Sequence, residues 1–219
     1  MRIHCDAETT DSLDLTHMTN LEQLDLSQST VPYCIIPPPT LHKLILENAT
    51  LVPFKVQGPG KMVEPLSNLR VLRMYGCRDY PPMLYQIRGP NKEGVLTELS
   101  IDVDALDSSH FVHLMTSVGW MKQLQHLRLK LQALNDMHSQ LFIEGCPHLK
   151  TLVLENALIT GVFVVDLLTA PSSQIALLVL KDCVKVSLDT IDWARNRGVH
   201  VEVRNSTQAL GGRIVRHYE

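Results

Sequence analysis

Two short segments of the chain carry residue types that could hold a phosphate group or a metal ion. The segment 58–61, Gly-Pro-Gly-Lys, has the glycines and the lysine of a phosphate-binding loop, but it lacks the G-x-x-x-x-G-K-[ST] spacing, and Met62 replaces the magnesium-binding hydroxyl. His110 and His113 lie three residues apart on a predicted helix and could share a metal ion, but no third ligand is near in sequence. We therefore predict no cofactor and no bound metal.

Two cysteines, Cys77 and Cys183, could act as nucleophiles, but their positions, like that of Cys146, favour a packing role. Cys77 and Cys183 each follow a pair of alternating apolar residues by three positions, where a strand turns and a small buried residue fits. Cys146 precedes Leu149 by three residues, a position that we expect to close the core. No Ser/His/Asp set or carboxylate pair has a spacing that specifies catalysis. We predict that the protein is not an enzyme.

The composition favours a folded chain that binds neither nucleic acid nor membrane. The 219 residues are 45% hydrophobic and 5% aromatic, with a net charge of -3 and a pI of about 6.4. Binders of nucleic acid or of anionic membranes are usually basic, and no apolar run reaches the ~18 residues of a membrane span. The five unclustered cysteines and the absence of an apolar signal core predict a cytoplasmic or nuclear protein that is not secreted.

The elements that would position functional residues follow a repeated leucine pattern. Its clearest copy begins at Leu149 and continues with Leu152, Leu154 and Ile159, and Ala157 stands at the ninth position of L-x-x-L-x-L-x-x-(N/C)-x-L. Copies of the pattern begin at residues 21, 41, 69, 96, 124, 149 and 175. The steps between them, 20 to 28 residues, are typical of leucine-rich repeats.

The repeats predict an α/β fold, a curved leucine-rich-repeat solenoid of horseshoe shape. The fourth and sixth positions of a copy lie two residues apart, so on a strand they point to the same face. We expect about eight parallel strands on the concave side, the last over 199–203, and helices or loops on the convex side. The fourth-position residues should form one buried ladder: Leu24, Leu44, Leu72, Leu99, Leu127, Leu152 and Leu178.

The segments that connect the strands differ in character. Apolar spacing predicts helices over 110–118, 136–144, 161–169 and 187–197. Prolines and glycines predict irregular loops over 52–65 and 79–95. The repeat domain is predicted to span 1–204 and to start inside a repeat, because its first residues already fit the fourth and sixth positions. We expect 205–219 to be a loosely ordered C-terminal tail.

A partner surface is predicted on the concave side of the sheet. The third, fifth and seventh positions of each copy alternate with the buried leucines, so they face that side. Cationic and aromatic side chains lie near its centre and apolar ones towards the C-terminal end, and both kinds are typical of protein interfaces. The predicted partner-binding residues are Arg73, Tyr75, Arg128, Lys130, Val153, Leu177 and Val179. We expect a protein to bind there.

The repeats resemble those of F-box substrate receptors, over about residues 1–204. The units that carry the resemblance are Met18–Leu26, Leu66–Leu72, Met121–Leu124 and Cys146–Leu152, and Asp192–Val201 looks like the last helix and strand of such proteins. In that family an N-terminal F-box binds the adaptor of a cullin-type ubiquitin ligase, and the repeats hold the substrate. This chain has no F-box-like segment, so adaptor binding is expected only if an F-box exists upstream.

Two functions remain open from the sequence. The first is substrate recognition for an F-box type ubiquitin ligase. The second is a leucine-rich-repeat scaffold or inhibitor unrelated to ubiquitin, of the ribonuclease-inhibitor sort. The sequence upstream of Met1 distinguishes them, because only the first function requires an F-box.

Overall fold

The protein has an α/β fold built around one open, all-parallel sheet of eight strands. The computed structural model describes residues 13–32, 35–52, 68–77, 95–102 and 121–205. In chain order the strands are β1 (Leu13–Asp14), β2 (Gln23–Asp25), β3 (Thr30–Pro32), β4 (Ile35–Ile36), β5 (Lys43–Ile45), β6 (Thr50–Val52), β7 (Val71–Met74), β8 (Glu98–Asp102), β9 (His126–Lys130), β10 (Thr151–Glu155), β11 (Leu177–Lys181) and β12 (His200–Arg204). The large sheet has the order β12-β11-β10-β9-β8-β7-β5-β2, which follows the chain. The predicted α/β class and eight parallel strands are confirmed.

Parallel pairing in register places the same repeat position of neighbouring strands side by side. Leu152 on β10 lies between Leu127 on β9 and Leu178 on β11, and the same register extends to Leu24 on β2 and to Val201 on β12. Every residue of this ladder is at most 3% exposed. The residues two positions further on form a second buried row from Leu26 to Leu180, whereas Val203 on the last strand is 40% exposed. Each buried leucine contributes about 1.5–3 kcal/mol of transfer free energy.

Within the described residues, three α-helices contribute to the core that the leucine rows form. They are α1 (Ser139–Gly145), α2 (Gly161–Thr169) and α3 (Leu188–Asn196), and a 3-10 turn, Asp136–His138, precedes α1. The rings of Phe142 and Phe163 meet edge to face with their centroids 5.4 Å apart, and both are buried. Ile191 and Ala194 bury one side of α3 in the same core.

Helices α2 and α3 begin at capping side chains, as their sequences indicate. Thr160 accepts a hydrogen bond from the backbone of the first turn of α2, and Ser187 does the same for α3. Gly198 has a φ of 85°, a left-handed conformation that suits a glycine just beyond a helix. The helices predicted over 161–169 and 187–197 are therefore confirmed, with Ser187 as the cap of the second.

The helix predicted over 136–144 is divided into the 3-10 turn and α1. Asn135 accepts a hydrogen bond from the backbone of the turn, and its own N–H donates to His138 Nδ1. The carboxylate of Asp136 accepts two 2.7 Å hydrogen bonds, from the backbone N–H and the hydroxyl of Thr160 in the next repeat. These contacts hold the first turn in the tighter 3-10 form.

Several predictions made from the sequence lie mainly outside the described residues. They are the helix over 110–118, the loops over 52–65 and 79–95, the tail over 205–219, the segment 58–61, and His110 with His113. In the part of the chain that the structure describes, no helix has the length and apolar character needed to cross a membrane.

Two short parallel ladders, which the sequence did not predict, lie outside the eight-stranded sheet. Strand β1 pairs with β4, and β3 pairs with β6. In the second ladder the buried side chains of Val31 and Leu51 lie next to each other. These strands lie outside the fourth and sixth repeat positions, from which the strands of the large sheet were predicted.

The turn after the strand adopts a left-handed backbone conformation at the same position of five repeats. The eighth-position residues are Gln28, Asn48, Gly76, Asn156 and Asp182, with φ between 53° and 73°. Glycine and short polar residues accept this conformation at the lowest cost. The turns of neighbouring repeats are also closely packed. A Cβ atom added to Gly76 would lie only 2.3 Å from Oδ1 of Asn48 in the preceding repeat, so there is no room for a side chain.

We expect Gly76→Ala to lower the free energy of unfolding by about 1–3 kcal/mol, because it combines left-handed strain with this clash. Equilibrium unfolding in urea measures the change. Gly198→Ala is the matched control, since Gly198 is also left-handed but no atom lies within 4 Å of an added Cβ. Equal destabilisation by the two substitutions would show that contact between neighbouring turns contributes nothing.

Candidate interaction surface

The side of the sheet opposite the leucine rows is lined by polar and charged side chains, and we call it the polar face. It carries the first, third and fifth residues of each long strand, because side chains alternate along a strand. On β10, Thr151, Val153 and Glu155 are partly exposed, whereas Leu152 and Leu154 between them are buried. All seven predicted partner-binding residues occupy such alternating positions: Arg73, Tyr75, Arg128, Lys130, Val153, Leu177 and Val179.

Tyr75, Arg128 and Glu155 form a cluster near the centre of the polar face. The guanidinium carbon of Arg128 lies 3.6 Å from the ring centroid of Tyr75, which is a cation–π contact. Glu155 Oε2 lies 3.5 Å from Arg128 Nη2 and 3.7 Å from Lys181 Nζ. These are ion-pair distances, and neither Glu155 Oε2 nor Arg128 Nε has a hydrogen-bond partner among the described residues. Stacking and charge together hold the Arg128 side chain in place.

The hydroxyl of Tyr75 is uncharged at physiological pH. Burial raises its pKa above the ordinary value, and a hydrogen bond to Glu155 and the charge of that carboxylate raise it further. The positive charge of Arg128 acts in the opposite direction but is the smaller effect. The tyrosine therefore presents a neutral phenol ring to the guanidinium.

A depression of about 260 Å³ lies between Arg73 and Arg128. The two arginines are in register on either side of Ser100, which is 6% exposed. Arg73 Nε donates a hydrogen bond to Glu98 Oε1, and this bond raises the pKa of Arg73. The remaining lining comes from Glu47, Leu99, His126, Leu127, Thr151 and Val153. The short side chain of Ser100 leaves open the space that the two long ones border.

Lys130 is paired within the sheet rather than grouped with the arginines. Its Nζ donates a 3.1 Å hydrogen bond to Asp102 Oδ2, and the two residues are register partners on β9 and β8. Surface pairs of this kind contribute little stability, about 0–1 kcal/mol. The pair fixes the position of the Lys130 charge on the polar face.

The predicted apolar group lies on β10 and β11, beside the arginine cluster. Val153 and Val179 are register partners, and Leu177 is the partner of Thr151. Val153 and Leu177 are partly exposed. Val179 is only 5% exposed, because it lies between Val153 and Glu202 on the two neighbouring strands. Val153 and Leu177 therefore expose more apolar surface than Val179 does.

The cysteines at the predicted packing positions are buried, and their thiols are poor nucleophiles. Burial raises the pKa of Cys146 to about 12 and that of Cys77 to about 11, and it also raises the pKa of Cys183. Cys77 Sγ donates a hydrogen bond to the backbone oxygen of Leu46 in the neighbouring repeat. Nucleophilic reactions need the thiolate, which these environments suppress.

We expect Cys146 to be alkylated by iodoacetamide roughly a thousandfold faster in urea than in the native protein at pH 8.5, because about half of an unfolded thiol is ionised there. Peptide-resolved mass spectrometry measures the rate. Since the folded pKa is raised, this thiol stabilises the fold fully below about pH 8.5 and progressively less as the pH rises towards 12. Rapid native labelling at pH 8.5 would contradict a buried Cys146.

Four residues of this surface were not among the predicted partner-binding residues. They are Glu98, Ser100, Glu155 and Lys181. Each occupies a position that alternates with the leucines, and two of them, Glu155 and Lys181, have an oppositely charged residue at the matching position in a neighbouring copy. That signal was present in the sequence, but side-chain reach decides which of the possible pairs forms.

In the described ranges, no group of three or more His, Cys, Asp or Glu side chains could hold a metal ion. No family model and no curated protein matches the chain, so a function must be inferred from the polar face itself.

Proposed function

We propose that the protein is an interaction module that binds a partner protein across the polar face of the sheet. The observation that best supports this is the cluster in which Arg128 stacks on Tyr75 and pairs with Glu155. Arg and Tyr are enriched at the energetic centres of protein interfaces. Side chains that are already held in place lose little entropy on binding. The partly exposed Val153 next to the cluster adds surface that a partner could desolvate.

The finer architecture belongs to the same proposal. The repeated leucine pattern and the unbroken parallel register support a leucine-rich-repeat solenoid of horseshoe shape. In such a solenoid the polar face is the concave side, and extended concave surfaces are what these proteins use for binding.

Within this class we propose substrate recognition for an F-box type ubiquitin ligase, in the cytoplasm or the nucleus. The support is the resemblance of the repeat units, of which Cys146–Leu152 is the clearest, to those of F-box substrate receptors. The alternative is a leucine-rich-repeat scaffold or inhibitor unrelated to ubiquitin. The two proposals share the binding surface and differ in whether a ligase adaptor is present in the complex.

Partner binding is tested by quantitative affinity capture from the cells that express the protein. The baits are the unaltered chain, Arg128→Glu, and Lys122→Glu as a control, since Lys122 is an exposed cation in a turn. We expect at least one protein to be recovered with the unaltered chain and the control but lost with Arg128→Glu. Identical recovery with all three baits would remove the polar face as the binding site.

The ubiquitin role is tested separately, on the full transcript. An F-box encoded upstream of Met1, together with a cullin-ligase adaptor in the captured complex, is the expected result. The captured partner should then persist longer in cells that lack the gene. A full transcript without an F-box, combined with capture that contains no adaptor, would leave the scaffold or inhibitor as the function.

A further inference from the structure

We infer that the depression between Arg73 and Arg128 holds an anionic side chain of the partner protein, a carboxylate or a phosphoryl group. This inference rests on the proposed function and specifies the chemistry of the partner. It follows from three features of the depression: its dimensions, the fixed position of its cations, and its surplus of hydrogen-bond donors.

The dimensions follow from the register of three strands. Arg73, Ser100 and Arg128 are direct register partners on β7, β8 and β9. Adjacent strands lie about 4.8 Å apart, so the backbones that carry the two arginines are separated by about 10 Å. An inserted side chain that ends in a carboxylate or phosphoryl group can contact both guanidinium groups from that gap. Ser100 forms the floor, and a larger residue there would occupy the part of the space, of about 260 Å³, that lies between the two arginines.

Both guanidinium groups are held in place before any ligand arrives. Arg128 is stacked on Tyr75 at 3.6 Å and attracted to Glu155 at 3.5 Å. Arg73 is held through its Nε by Glu98. Neither arginine can swing away without losing these contacts, so the entropy lost on binding an anion is small.

The depression offers more donors than its acceptors use. A guanidinium has five N–H donors, and the contact with Glu98 uses only the Nε of Arg73, which leaves its two terminal nitrogens for a ligand. Arg128 meets Glu155 through Nη2 alone. The hydroxyl groups of Ser100 and Thr151 can also donate. Carboxylate and phosphoryl groups accept several such hydrogen bonds at once, whereas amides and ammonium groups bring donors of their own.

Two carboxylates on the rim limit which anions fit. Glu98 and Glu47 line the depression on the Arg73 side, and both interact with that arginine. Glu155 lies beside Arg128 on the other side, so an anion must sit over Ser100, between the two arginines, where it is kept away from all three carboxylates. We expect this geometry to select an anion on a side chain inserted from above rather than a large polyanion lying across the face.

The test uses small blocked amino acids as probes, so it does not depend on knowing the partner. The full chain, with its arginine side chains labelled with ¹⁵N, is titrated by NMR with N-acetyl-glutamate amide, with N-acetyl-phosphoserine amide, and with N-acetyl-glutamine amide as the neutral control. The variants are Ser100→Leu, which blocks the space between the two arginines but keeps both of them, and Arg73→Gln. Lys122→Gln is the surface control, and thermal melting verifies that every variant folds.

We expect saturable shifts of the Arg73 and Arg128 Nε–H signals with either anionic probe, and no saturation with the neutral probe. Arg73→Gln should weaken anion binding about tenfold or more, because charged hydrogen bonds are lost. Ser100→Leu should abolish binding, and Lys122→Gln should leave it unchanged. Tighter binding of the phosphoserine probe would identify the anion as a phosphoryl group, and tighter binding of the glutamate probe would identify a carboxylate.

Equal shifts with the neutral probe, or anion binding that survives in a folded Ser100→Leu protein, would overturn the inference. These results are separable from failure of the proposed function. If the partner protein is lost from Arg128→Glu but the anionic probes do not bind, the interaction surface stands and only the anion site is wrong. If the probes bind but capture is insensitive to Arg128→Glu, the interaction surface fails.

Discussion

Leu152→Ala is expected to lower the free energy of unfolding by about 2–5 kcal/mol. Leu152 is fully buried, with register partners Leu127 and Leu178 on both sides, and Leu154 is buried two residues further on. The paired strands hold these neighbours at fixed spacing, so they cannot move together to fill the space of the missing side chain. The lost transfer free energy and the remaining cavity both contribute to the effect. Urea denaturation followed by circular dichroism measures it.

Leu158→Ala provides the matched control for this cavity. Leu158 lies in the loop just after the same strand and is 41% exposed, so its truncation leaves no enclosed space. We expect a change of less than about 1 kcal/mol there, since surface substitutions usually have small effects. If both substitutions have equal effects, the leucine ladder is not the main source of stability at this point of the sheet.

Arg128→Glu is expected to reduce partner capture about thirtyfold or more, which is the effect of removing an interface hot spot. The substitution reverses the charge at the centre of the cluster and places a carboxylate beside Glu155. Because of that repulsion we also expect a loss of stability, of about 1 kcal/mol, which is too small to unfold the chain. Capture at equal concentrations of folded protein, verified by thermal melting, separates the two effects.

The neighbouring substitution Leu127→Glu should give the opposite result. Leu127 is 2% exposed and faces the core, so a glutamate there would bury an unpaired charge. We expect this variant to unfold the repeat and to lose capture for that reason alone. A folded Leu127→Glu protein, or an unfolded Arg128→Glu protein, would mean that the two faces of β9 have been assigned the wrong way round.

The positions of the strands could be predicted because the side chains on the buried side of the sheet must be apolar at fixed positions of each repeat. A leucine such as Leu152 must be apolar in every repeat, so the pattern in the sequence records the ladder directly. The helix over 161–169 was predictable for a similar reason, since Thr160 marks its start and apolar spacing marks its inner side. Both signals are local in sequence.

The contacts of the polar face could not be predicted, because they join residues in different repeats. Arg128 and Glu155 are 27 positions apart, and Arg128 could equally have turned towards Asp102 or Glu98. Which carboxylate Arg128 pairs with depends on its side-chain rotamer and on its stacking with Tyr75. Neither can be read from the spacing of residues in the sequence. The burial of Val179 could not be predicted either. Alternation along the strand predicts that this side chain is exposed, but its neighbours on the two adjacent strands bury it.

The order of the strands across the large sheet has a consequence for how the chain acquires its structure. Each strand pairs only with the strands that precede and follow it in that sheet, so every pairing closes a loop of similar, modest length. The entropy of loop closure rises slowly with length, so no single pairing is a bottleneck. Once two adjacent strands have paired, the next strand can add to the edge of the pair. Folding can therefore nucleate at any pair of strands and propagate in both directions along the sheet. The same stepwise growth suits a chain that emerges gradually from the ribosome.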